Sequence, residues 1–578
     1  MNLVRKLIAV LGLVTGLLLV VLPSAALASS KGSTPDPAAT LGVSLPMYTP
    51  PTATMRPPGF TSDADQAVAA AEGNREMQAL HARQHPMTFE PYAWIGVSWL
   101  VDFSYHGKLV AQVVVSRAGH VTGVWTGPLA VALYARGDFA TLFGSLWVLA
   151  PFTLLFLVPF LDLRRPWRIL HLDALVLLSF LVSYLLFDHA KLVAAVWMVY
   201  PPLLYLLGRM LWIGGLRRRR RSDQRRPSSP WLSPRLSVRV LLIGLIGLVV
   251  ARIALSLVSF PVADVGYASV IGAARIAAKQ PLYFAGAAHG DTYGPIAYLA
   301  YLPFEWLFPW HGKWDYLPSA HAASIVFDLV TVLGLVLLGR RLRAGREGWR
   351  LGLALGWAWS ACPFTLLALI MHTNDGLIAM LSVLSLLAFA SPAARGALLG
   401  LAAAAKFAPA ALLGLYASHR DRGIKGTIAC VVSFAAVVVT SIGMYLPSGG
   451  LAQFYNQTIG FQLTRSDVFS AWALHPSLDP LKLAVEIGAV LLAGMVAFFP
   501  RRRSMAQVCA LAAAITIALQ LPAIHWFYYY IVWFMPFVLV ALLAGGDEDA
   551  AVAEEPVAEV AAPPTTTARA PEPVHAGV

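Results

Sequence analysis

Apolar runs of about 20 residues recur along most of this chain, and they restrict its fold more than any other feature. A helix of that length crosses the hydrocarbon core of a bilayer while its backbone groups hydrogen-bond to one another. Hydrophobic residues make up 58% of the chain and charged residues 13%, which indicates a polytopic α-helical membrane protein. Hydropathy predicts about eleven spans, near residues 138–161, 168–187, 190–213, 238–260, 317–339, 351–370, 376–391, 424–446, 480–499, 504–523 and 526–544.

Arginines concentrate in the short loops between these runs, at Arg164–Arg168, Arg217–Arg221, Arg340–Arg350 and Arg501–Arg503. With the N-terminus outside, all four loops face the cytoplasm, as the positive-inside rule requires. The formal charge of +13 is therefore a topology signal, and no nucleic-acid partner is predicted. We expect a multi-pass plasma-membrane protein with an extracytoplasmic N-terminal domain and a cytoplasmic C-terminal tail.

Two apolar segments are too interrupted to be ordinary crossings. Tyr293–Trp310 contains three prolines, and Gly396–Tyr416 carries Lys406 and a proline near its centre. We predict that the first is re-entrant or interfacial on the outer side, and that the second is a broken hairpin entering from the cytoplasm. Because irregular backbone at membrane depth is tolerated only beside protein or a wet cavity, both segments indicate a site.

The N-terminal region differs in composition from the membrane core. Residues 1–28 have the layout of a signal peptide, with an uncleaved anchor as the alternative. A helical pattern over Ser62–Arg83 and alternating strands over Trp94–Val124 predict a small α+β domain. The division of the chain is a signal peptide (1–28), a flexible linker (29–61), an extracytoplasmic α+β domain (62–136), an accessory three-helix membrane segment (137–215), a basic cytoplasmic loop (216–237), a membrane core (238–545) and a disordered cytoplasmic tail (546–578).

The cysteines exclude two kinds of site. Cys362, Cys430 and Cys509 all lie inside predicted spans, so neither a disulfide framework nor a thiolate metal cluster is expected. No motif supports a metal ion, and divalent-metal assistance is left open.

Asp264 stands where a predicted span ends, and an amphipathic helix follows it. An acid in that position can deprotonate a water-side acceptor next to a lipid-borne donor. The alternative is a solvated residue at a helix end, without a chemical role.

Several short motifs in the region 238–545 resemble polyprenyl-phosphate-dependent glycosyltransferases of the GT-C fold, closest to glycosyltransferase family 87, which is alpha-mannosyltransferase-like. They are D-V-G-Y at 264–267, L-Y at 282–283, Y-G-P-I-A-Y-L-A-Y-L-P-F at 293–304, N-D-G-L-I-A-M-L at 374–381, G-L-A-A-A-A-K-F-A-P-A-A-L-L at 400–413 and H-W-F-Y-Y-Y-I-V-W-F-M-P at 525–536. The resemblance implies a GT-C-like core and a polyprenyl-phosphate sugar as donor, with no further cofactor. It implies that Asp264 is the general base.

The candidates for binding the donor phosphate are cationic side chains and histidines. Arg275 and Lys279 are four residues apart and share a face if both are helical, with snorkelling toward lipid headgroups as the alternative. His372 and His525 lie at outer span ends. Lys406 matches the K-x-x-P pattern of the family, although the predicted topology approaches it from the cytoplasm.

The remaining site predictions concern a partner for Lys406 and the substrate lining. Asp328, within a span, is a candidate partner for Lys406, or a ligand for acceptor or metal. Substrate-lining residues are predicted at Tyr267, Tyr293, Asn374 and Asp375. Tyr267 and Tyr293 belong to a larger set of outer-boundary aromatics for which a membrane-interface belt is the alternative; the others are Tyr283, Trp306, Trp310 and Trp314.

These observations predict a membrane glycosyltransferase of the cell envelope, which transfers a hexose, mannose first, to an extracytoplasmic glycan, lipid or protein. The alternative class is a transporter or flippase, because broken helices and intramembrane charges also mark transport paths. Against it, the two broken segments do not form an internal repeat, and the acid lies at the surface. A non-catalytic scaffold is a third alternative, and it predicts that Asp264 is replaceable.

Overall fold

The computed structural model describes residues 47–544 apart from short gaps at 51, 58, 95–97, 128–129, 131–141, 162–166, 217–235, 284–291, 420–422, 464–468 and 501–502. The predicted signal peptide and tail lie outside the described residues, as do most of the linker and nearly all of the basic loop.

The N-terminal part folds as two helices and a five-stranded antiparallel sheet in sequential order. The elements are α1 Ala64–Glu72, α2 Arg75–His81, β1 Met47–Tyr48, β2 Thr88–Trp94, β3 Ser98–Tyr105, β4 Lys108–Ser116 and β5 Val121–Thr126. On β3 the alternate residues Trp99, Val101 and Phe103 are fully buried in a core shared with α1, because successive side chains point to opposite faces. The single predicted helical stretch is divided, since α1 ends at Glu72 with Gly73 as its C-cap, and the Asn74 side chain caps α2.

The rest of the described chain is helical. The α-helices are α3 Leu146–Leu157, α4 Ile169–Asp188, α5 Leu192–Leu211, α6 Val238–Val258, α7 Asp264–Ala277, α8 Pro295–Leu299, α9 Leu302–Leu307, α10 Pro318–Leu342, α11 Gly345–Ala361, α12 Pro363–Ile370, α13 Asp375–Leu387, α14 Pro392–Ala405, α15 Leu413–Ala417, α16 Gly423–Met444, α17 Gly450–Tyr455, α18 Phe461–Leu463, α19 Ala471–Leu474, α20 Asp479–Phe498, α21 Met505–Gln520 and α22 Ile531–Ala544. Short 3₁₀ and π turns at Leu142–Gly144, Trp212–Leu216, Ala408–Leu412, Asn456–Gly460, Pro476–Leu478 and Tyr528–Tyr530 complete the described elements.

Fewer helices reach spanning length than the eleven predicted. Six of those described are long and apolar enough to cross a membrane, namely α4, α5, α6, α10, α16 and α20, and the pair α11–α12, bent by 60°, makes a seventh. The other predicted spans contain the shorter apolar helices α3, α13, α21 and α22. A 16-residue helix is only about 24 Å long, less than the roughly 30 Å of a bilayer core. The polytopic helical class stands, with a smaller count of full-length spans.

Burial separates the centre of the bundle from its rim. Of the residues in the apolar stretch of α10, 78% are buried inside the protein. The same share is 11% in α16 and in α20. Apolar side chains that a membrane protein exposes in this way face lipid, so α10 is central and α16 and α20 are peripheral.

Two buried arginine–aspartate pairs connect neighbouring helices. Arg209 on α5 holds Asp173 on α4 through Nε and Nη2 at 3.0–3.1 Å. Arg252 on α6 holds Asp328 on α10 through Nη2 at 2.7 Å and Nε at 3.2 Å. Such two-point pairs fix orientation as well as neutralising charge, so they set how these helices pack.

Both broken segments are short-helix structures. The first forms α8 and α9, and Tyr298 on α8 packs so closely on α7 that a Cβ at Gly272 would lie 2.2 Å from its ring. In the second, α14 leads to Lys406, and the chain returns through a 3₁₀ turn and α15. Arg395 Nη2 donates to the carbonyl of His419 at 3.1 Å, so the two ends of this segment lie together and Lys406 is at its tip. The side from which the hairpin enters the membrane stays a prediction.

Candidate active site

Asp264 is the first residue of α7, and its side chain is half-buried. The chain enters the helix through Ala263, whose amide donates to the carbonyl of Met371 at 2.8 Å. The Val265 amide donates to Asp264 Oδ1 at 2.8 Å. The first N–H groups of a helix form the positive end of its dipole, so an acidic side chain at this position stabilises the start of α7. Asp264 is thus an oriented carboxylate within reach of solvent, as a general base must be.

Two glycines allow backbone segments to meet around α7. A Cβ at Gly266 would lie 2.2 Å from the carbonyl oxygen of His372, and one at Gly294 would lie 2.0 Å from that of Ala404. The Gly294 amide also donates to the carbonyl of Ala405 at 3.2 Å. Since no side chain fits at either position, α7, the turn before α13, the first broken segment and the hairpin tip are in direct contact.

A buried polar centre, formed by Ser269, Asn374, Asp375, Lys406 and Trp533, lies against α7. Asn374 Nδ2 donates to Ser269 Oγ at 2.9 Å. Trp533 Nε1 donates to Asp375 Oδ1 at 2.8 Å, and Lys406 forms an ion pair with the same oxygen. The centre therefore joins α7, α13, the hairpin tip and α22.

Two acceptors in the buried polar centre are unsatisfied. Asn374 Oδ1 and Asp375 Oδ2 are buried and accept no hydrogen bond from the described residues. Such a group costs on the order of 1–3 kcal/mol and calls for an explanation in a native structure. A ligand that offers hydroxyl groups would supply the missing donors.

The partner predicted for Lys406 is corrected. Asp328 is held by Arg252 and by Trp359 Nε1 at 2.8 Å, and Lys406 pairs with Asp375 instead. Lys406 Nζ is also 5.2 Å from the ring centroids of both Tyr293 and Trp533, within cation–π range. The structure thus brings together four predicted site residues, at the end of the bundle where α7 begins; they are Tyr293, Asn374, Asp375 and Lys406.

The predicted phosphate contact of His372 is also corrected. The side chain is fully buried, and its ring stacks on that of His321 with centroids 3.5 Å apart. Its Nδ1 lies 2.9 Å from the carbonyl of Pro261, and its Nε2 lies 3.2 Å from the hydroxyl and 3.1 Å from the carbonyl of Ser256. Both ring nitrogens are therefore engaged, and His372 fixes the approach to α7 rather than facing a ligand.

Arg275 and Lys279 do not share a helical face. Helix α7 ends at Ala277, and Lys279 follows with a left-handed φ of 55°. Arg275 is half-buried and its Nη1 lies 3.5 Å from the carbonyl of Leu282. It is eleven residues beyond Asp264, roughly 16 Å along the helix axis. The structure therefore separates both cations from the start of α7.

His525 lies in an aromatic cluster next to the buried polar centre. Its ring is parallel to that of Phe527 at 6.4 Å and meets that of Tyr530 at 6.4 Å. Tyr530 in turn contacts Trp533 at 4.8 Å. His525 is thus two aromatic contacts away from Trp533, which donates to Asp375, and its predicted phosphate role stays a prediction.

Sequence reasoning missed two members of the buried polar centre. Trp533 belongs to the motif at 525–536, but the motif does not single it out, because a tryptophan in an apolar helix is ordinarily a core residue. Ser269 follows Asp264 by five positions and carries no separate signal. Among the described residues, no group of three or more His, Cys, Asp or Glu side chains could hold a metal ion.

Comparison with known proteins matches the part of the chain that holds Asn374, Asp375 and Lys406 of the buried polar centre, while Ser269 and Trp533 lie outside it. Residues 292–526 match the model of glycosyltransferase family 87, which confirms the predicted resemblance. The match includes Tyr293, Asn374, Asp375 and Lys406 but begins after Asp264. The matched region covers 235 of the 578 residues, less than half of the chain, and is similar to this glycosyltransferase family.

Among solved structures, the chain is similar to ArnT from Cupriavidus metallidurans, determined with undecaprenyl phosphate bound. The identity is 19% and the TM-score 0.37, over 54% of this chain and 59% of that one. The comparison with curated proteins found no significant match.

Proposed function

Because residues 292–526 carry the pattern of glycosyltransferase family 87, we propose that this protein transfers a hexose, mannose first, from a polyprenyl-phosphate donor to an extracytoplasmic glycan, lipid or protein. One observation supports this most: the family-matched residues Asn374, Asp375 and Lys406 meet directly against the helix that begins with Asp264. Undecaprenyl phosphate, bound in the ArnT structure, is a carrier of the proposed kind.

The proposed reaction is a single displacement at the anomeric carbon. Asp264 accepts the proton of the acceptor hydroxyl, and the acceptor oxygen forms the new glycosidic bond. The bond between the anomeric carbon and the phosphate oxygen breaks, and polyprenyl phosphate leaves with the electron pair. Phosphate is a good leaving group, so a base and a cation suffice. Displacement in one step inverts the anomeric configuration.

Lys406 is the best-placed cation for the leaving phosphate. Ser269 links the buried polar centre to α7 and is five residues from Asp264, about 7.5 Å along the helix axis. Arg275 is roughly 16 Å from Asp264 along the same axis. In this proposal Lys406 shares its charge between Asp375 and the phosphate, and Arg275 and Lys279 contact lipid headgroups.

The unsatisfied oxygens of Asn374 and Asp375 are proposed to accept hydrogen bonds from hydroxyls of the transferred sugar. A carboxylate next to a carboxamide can accept from two neighbouring hydroxyls. Such groups reject sugars that lack the matching hydroxyl, because the oxygens then stay buried and unpaired.

Transfer of labelled sugar from polyprenyl-phosphate mannose, in membranes with matched amounts of protein, tests this function. We expect transfer by the wild type and a loss of at least about 100-fold in Asp264→Asn. Asp479→Asn is the matched control, because Asp479 is also the first residue of a helix, is exposed, and lies outside the candidate site.

Each other outcome has a definite meaning. Equal transfer by wild type and Asp264→Asn would remove Asp264 from the mechanism and leave the family function intact. If neither protein transfers mannose, glucose or arabinose from a polyprenyl-phosphate donor, the proposed function is wrong, and transport assays with the same lipids come next.

A further inference from the structure

Three aromatic side chains form a platform beside Asp264, here called the aromatic platform: Tyr267, Trp310 and Trp314. The rings of Tyr267 and Trp314 are parallel within 11°, with centroids 4.4 Å apart. Trp310 meets Tyr267 edge-on at 6.0 Å. Trp314 is buried at 9% exposure, whereas Tyr267 and Trp310 are half-exposed and present the accessible surface.

Backbone hydrogen bonds fix the tryptophans of the aromatic platform. Trp314 Nε1 donates to the carbonyl of Val262 at 3.0 Å, and Trp310 Nε1 donates to that of Lys313 at 2.9 Å. A membrane-interface belt needs no such arrangement, since belt residues direct their polar atoms toward headgroups. Trp306, on the same short segment, is 67% exposed and fits the belt description.

Carboxyl groups surround the aromatic platform. Asp264 precedes Tyr267 by three residues on α7, so the two side chains share a face. Burial raises the pKa of Tyr267, and the Asp315 carboxylate raises it further. Asp315 Oδ1 also lies 3.4 Å from His311 Nε2.

Glu305 adds a buried acceptor next to Trp310. Its side chain is 4% exposed and its Oε1 accepts from the Trp310 amide at 2.6 Å, while Oε2 accepts no hydrogen bond from the described residues. Burial raises the pKa of Glu305. A buried carboxyl oxygen without a hydrogen-bond partner can bond to a hydroxyl of a ligand, as an acceptor or, when the carboxyl is protonated, as a donor.

Aromatic faces flanked by carboxyl groups match the chemistry of a saccharide. A sugar ring has an apolar C–H face that stacks on aromatic rings, and its hydroxyls donate to carboxylates. Acidic groups disfavour the anionic headgroups that a basic lipid-binding surface attracts. The donor sugar is already held by its lipid and phosphate, whereas an acceptor needs a surface of its own next to the base.

We propose that the aromatic platform is the acceptor subsite and that it binds a saccharide, with Tyr267 and Trp310 stacking on the sugar ring and its hydroxyls turned toward Asp264 and Glu305. The assignment rests on the proposed glycosyl transfer and names its acceptor class, a glycan or the sugar headgroup of a glycolipid.

Binding without donor tests the subsite separately from catalysis. Saturation-transfer NMR on the purified protein, with methyl glycosides of mannose, glucose and galactose as probes, should detect binding of at least one. Trp310→Leu and Tyr267→Leu should weaken it roughly 3- to 10-fold, the value of one aromatic contact. Tyr267→Phe keeps the ring and should bind like the wild type. Trp306→Leu is the matched control and should change nothing.

Kinetics give a second measurement, with polyprenyl-phosphate mannose as donor and octyl mannoside as acceptor. Trp310→Leu should raise the acceptor KM roughly 3- to 10-fold, with kcat and the donor KM nearly unchanged. A merely structural role would lower the amount of active protein instead, and so would reduce kcat without a change in KM.

The two proposals fail in different ways. If no glycoside binds the wild type, or if Trp310→Leu behaves like Trp306→Leu in both measurements, the acceptor subsite is overturned, even where transfer depends on Asp264. If glycosides bind as expected and no donor supports transfer, the aromatic platform stands as a saccharide-binding surface, whereas the proposed function and the acceptor role of the platform both fall.

Discussion

The buried pairs Arg252–Asp328 and Lys406–Asp375 have similar composition and burial but differ in completeness. Both oxygens of Asp328 accept from Arg252, one accepts also from Trp359, and Arg252 donates further to the carbonyls of Ser360 and Thr365. In the second pair, Asp375 Oδ2 accepts nothing from the described residues. A buried charge pair that only holds helices together is satisfied in full, because each missing bond costs stability. The incomplete pair is therefore the one with capacity for a substrate.

The largest expected effect is on the complete pair. Asp328→Asn removes the charge partner of Arg252, which is fully buried, and should lower the free energy of unfolding by about 3–5 kcal/mol. Thermal unfolding in detergent measures this. The protein that stays folded should keep its specific activity, and a stable but inactive variant would contradict the structural role.

A substitution in the incomplete pair should reduce activity strongly and stability less. Asp375→Asn removes the carboxylate proposed to hold the sugar and Lys406, and should lower kcat/KM for transfer about 100-fold, the order of a lost electrostatic partner in an active site. Lys406 is 7% exposed and has two aromatic neighbours, so the unfolding temperature should fall less than in Asp328→Asn. A loss of stability as large as in Asp328→Asn, with activity retained, would show that the two pairs have the same role.

The smallest effects come from two tryptophans that make equivalent hydrogen bonds. Trp359 Nε1 donates to Asp328 and Trp533 Nε1 donates to Asp375, both at 2.8 Å. Trp359→Phe should cost about 1.5 kcal/mol of stability, the lower value for a bond to a charged group, and leave transfer unchanged. Trp533→Phe should reduce transfer about tenfold with little change in unfolding temperature. Equal profiles for the two variants would remove the distinction between the pairs.

The sequence predicts the class of the protein and much of the site, but not the partners within it. Hydropathy identifies the apolar segments, and the proline-broken ones form short helices around the candidate site. It predicts more spans than the six or seven helices of spanning length among the described residues, because hydropathy does not register where a helix begins or ends, as at the turn Tyr528–Tyr530 that precedes α22. Motif order indicates Asn374, Asp375 and Lys406 as site residues. Pairing Lys406 with Asp375 instead of Asp328 requires the positions of α10 and α13 relative to the hairpin, and a single sequence does not contain them.

Histidine roles were hardest to predict for a related reason. The position of His372 near a span end resembles that of a ligand, yet its ring nitrogens face the carbonyls of Pro261 and Ser256. A sequence shows that a histidine is present near a site, but not which way its ring turns. Tertiary contacts decide that.

The close contact between Gly294 and Ala404 restricts how the two broken segments can move. The Gly294 amide is bonded to Ala405, and no methyl group fits between residues 294 and 404, so the two proline-broken segments are clamped backbone to backbone. Moving one segment away from the other would break this hydrogen bond and open the backbone contact, so we expect the two segments to move together. Saturation mutagenesis of the two broken segments should accordingly find the fewest tolerated substitutions at residue 294, because even the methyl group of alanine would push the two backbones apart.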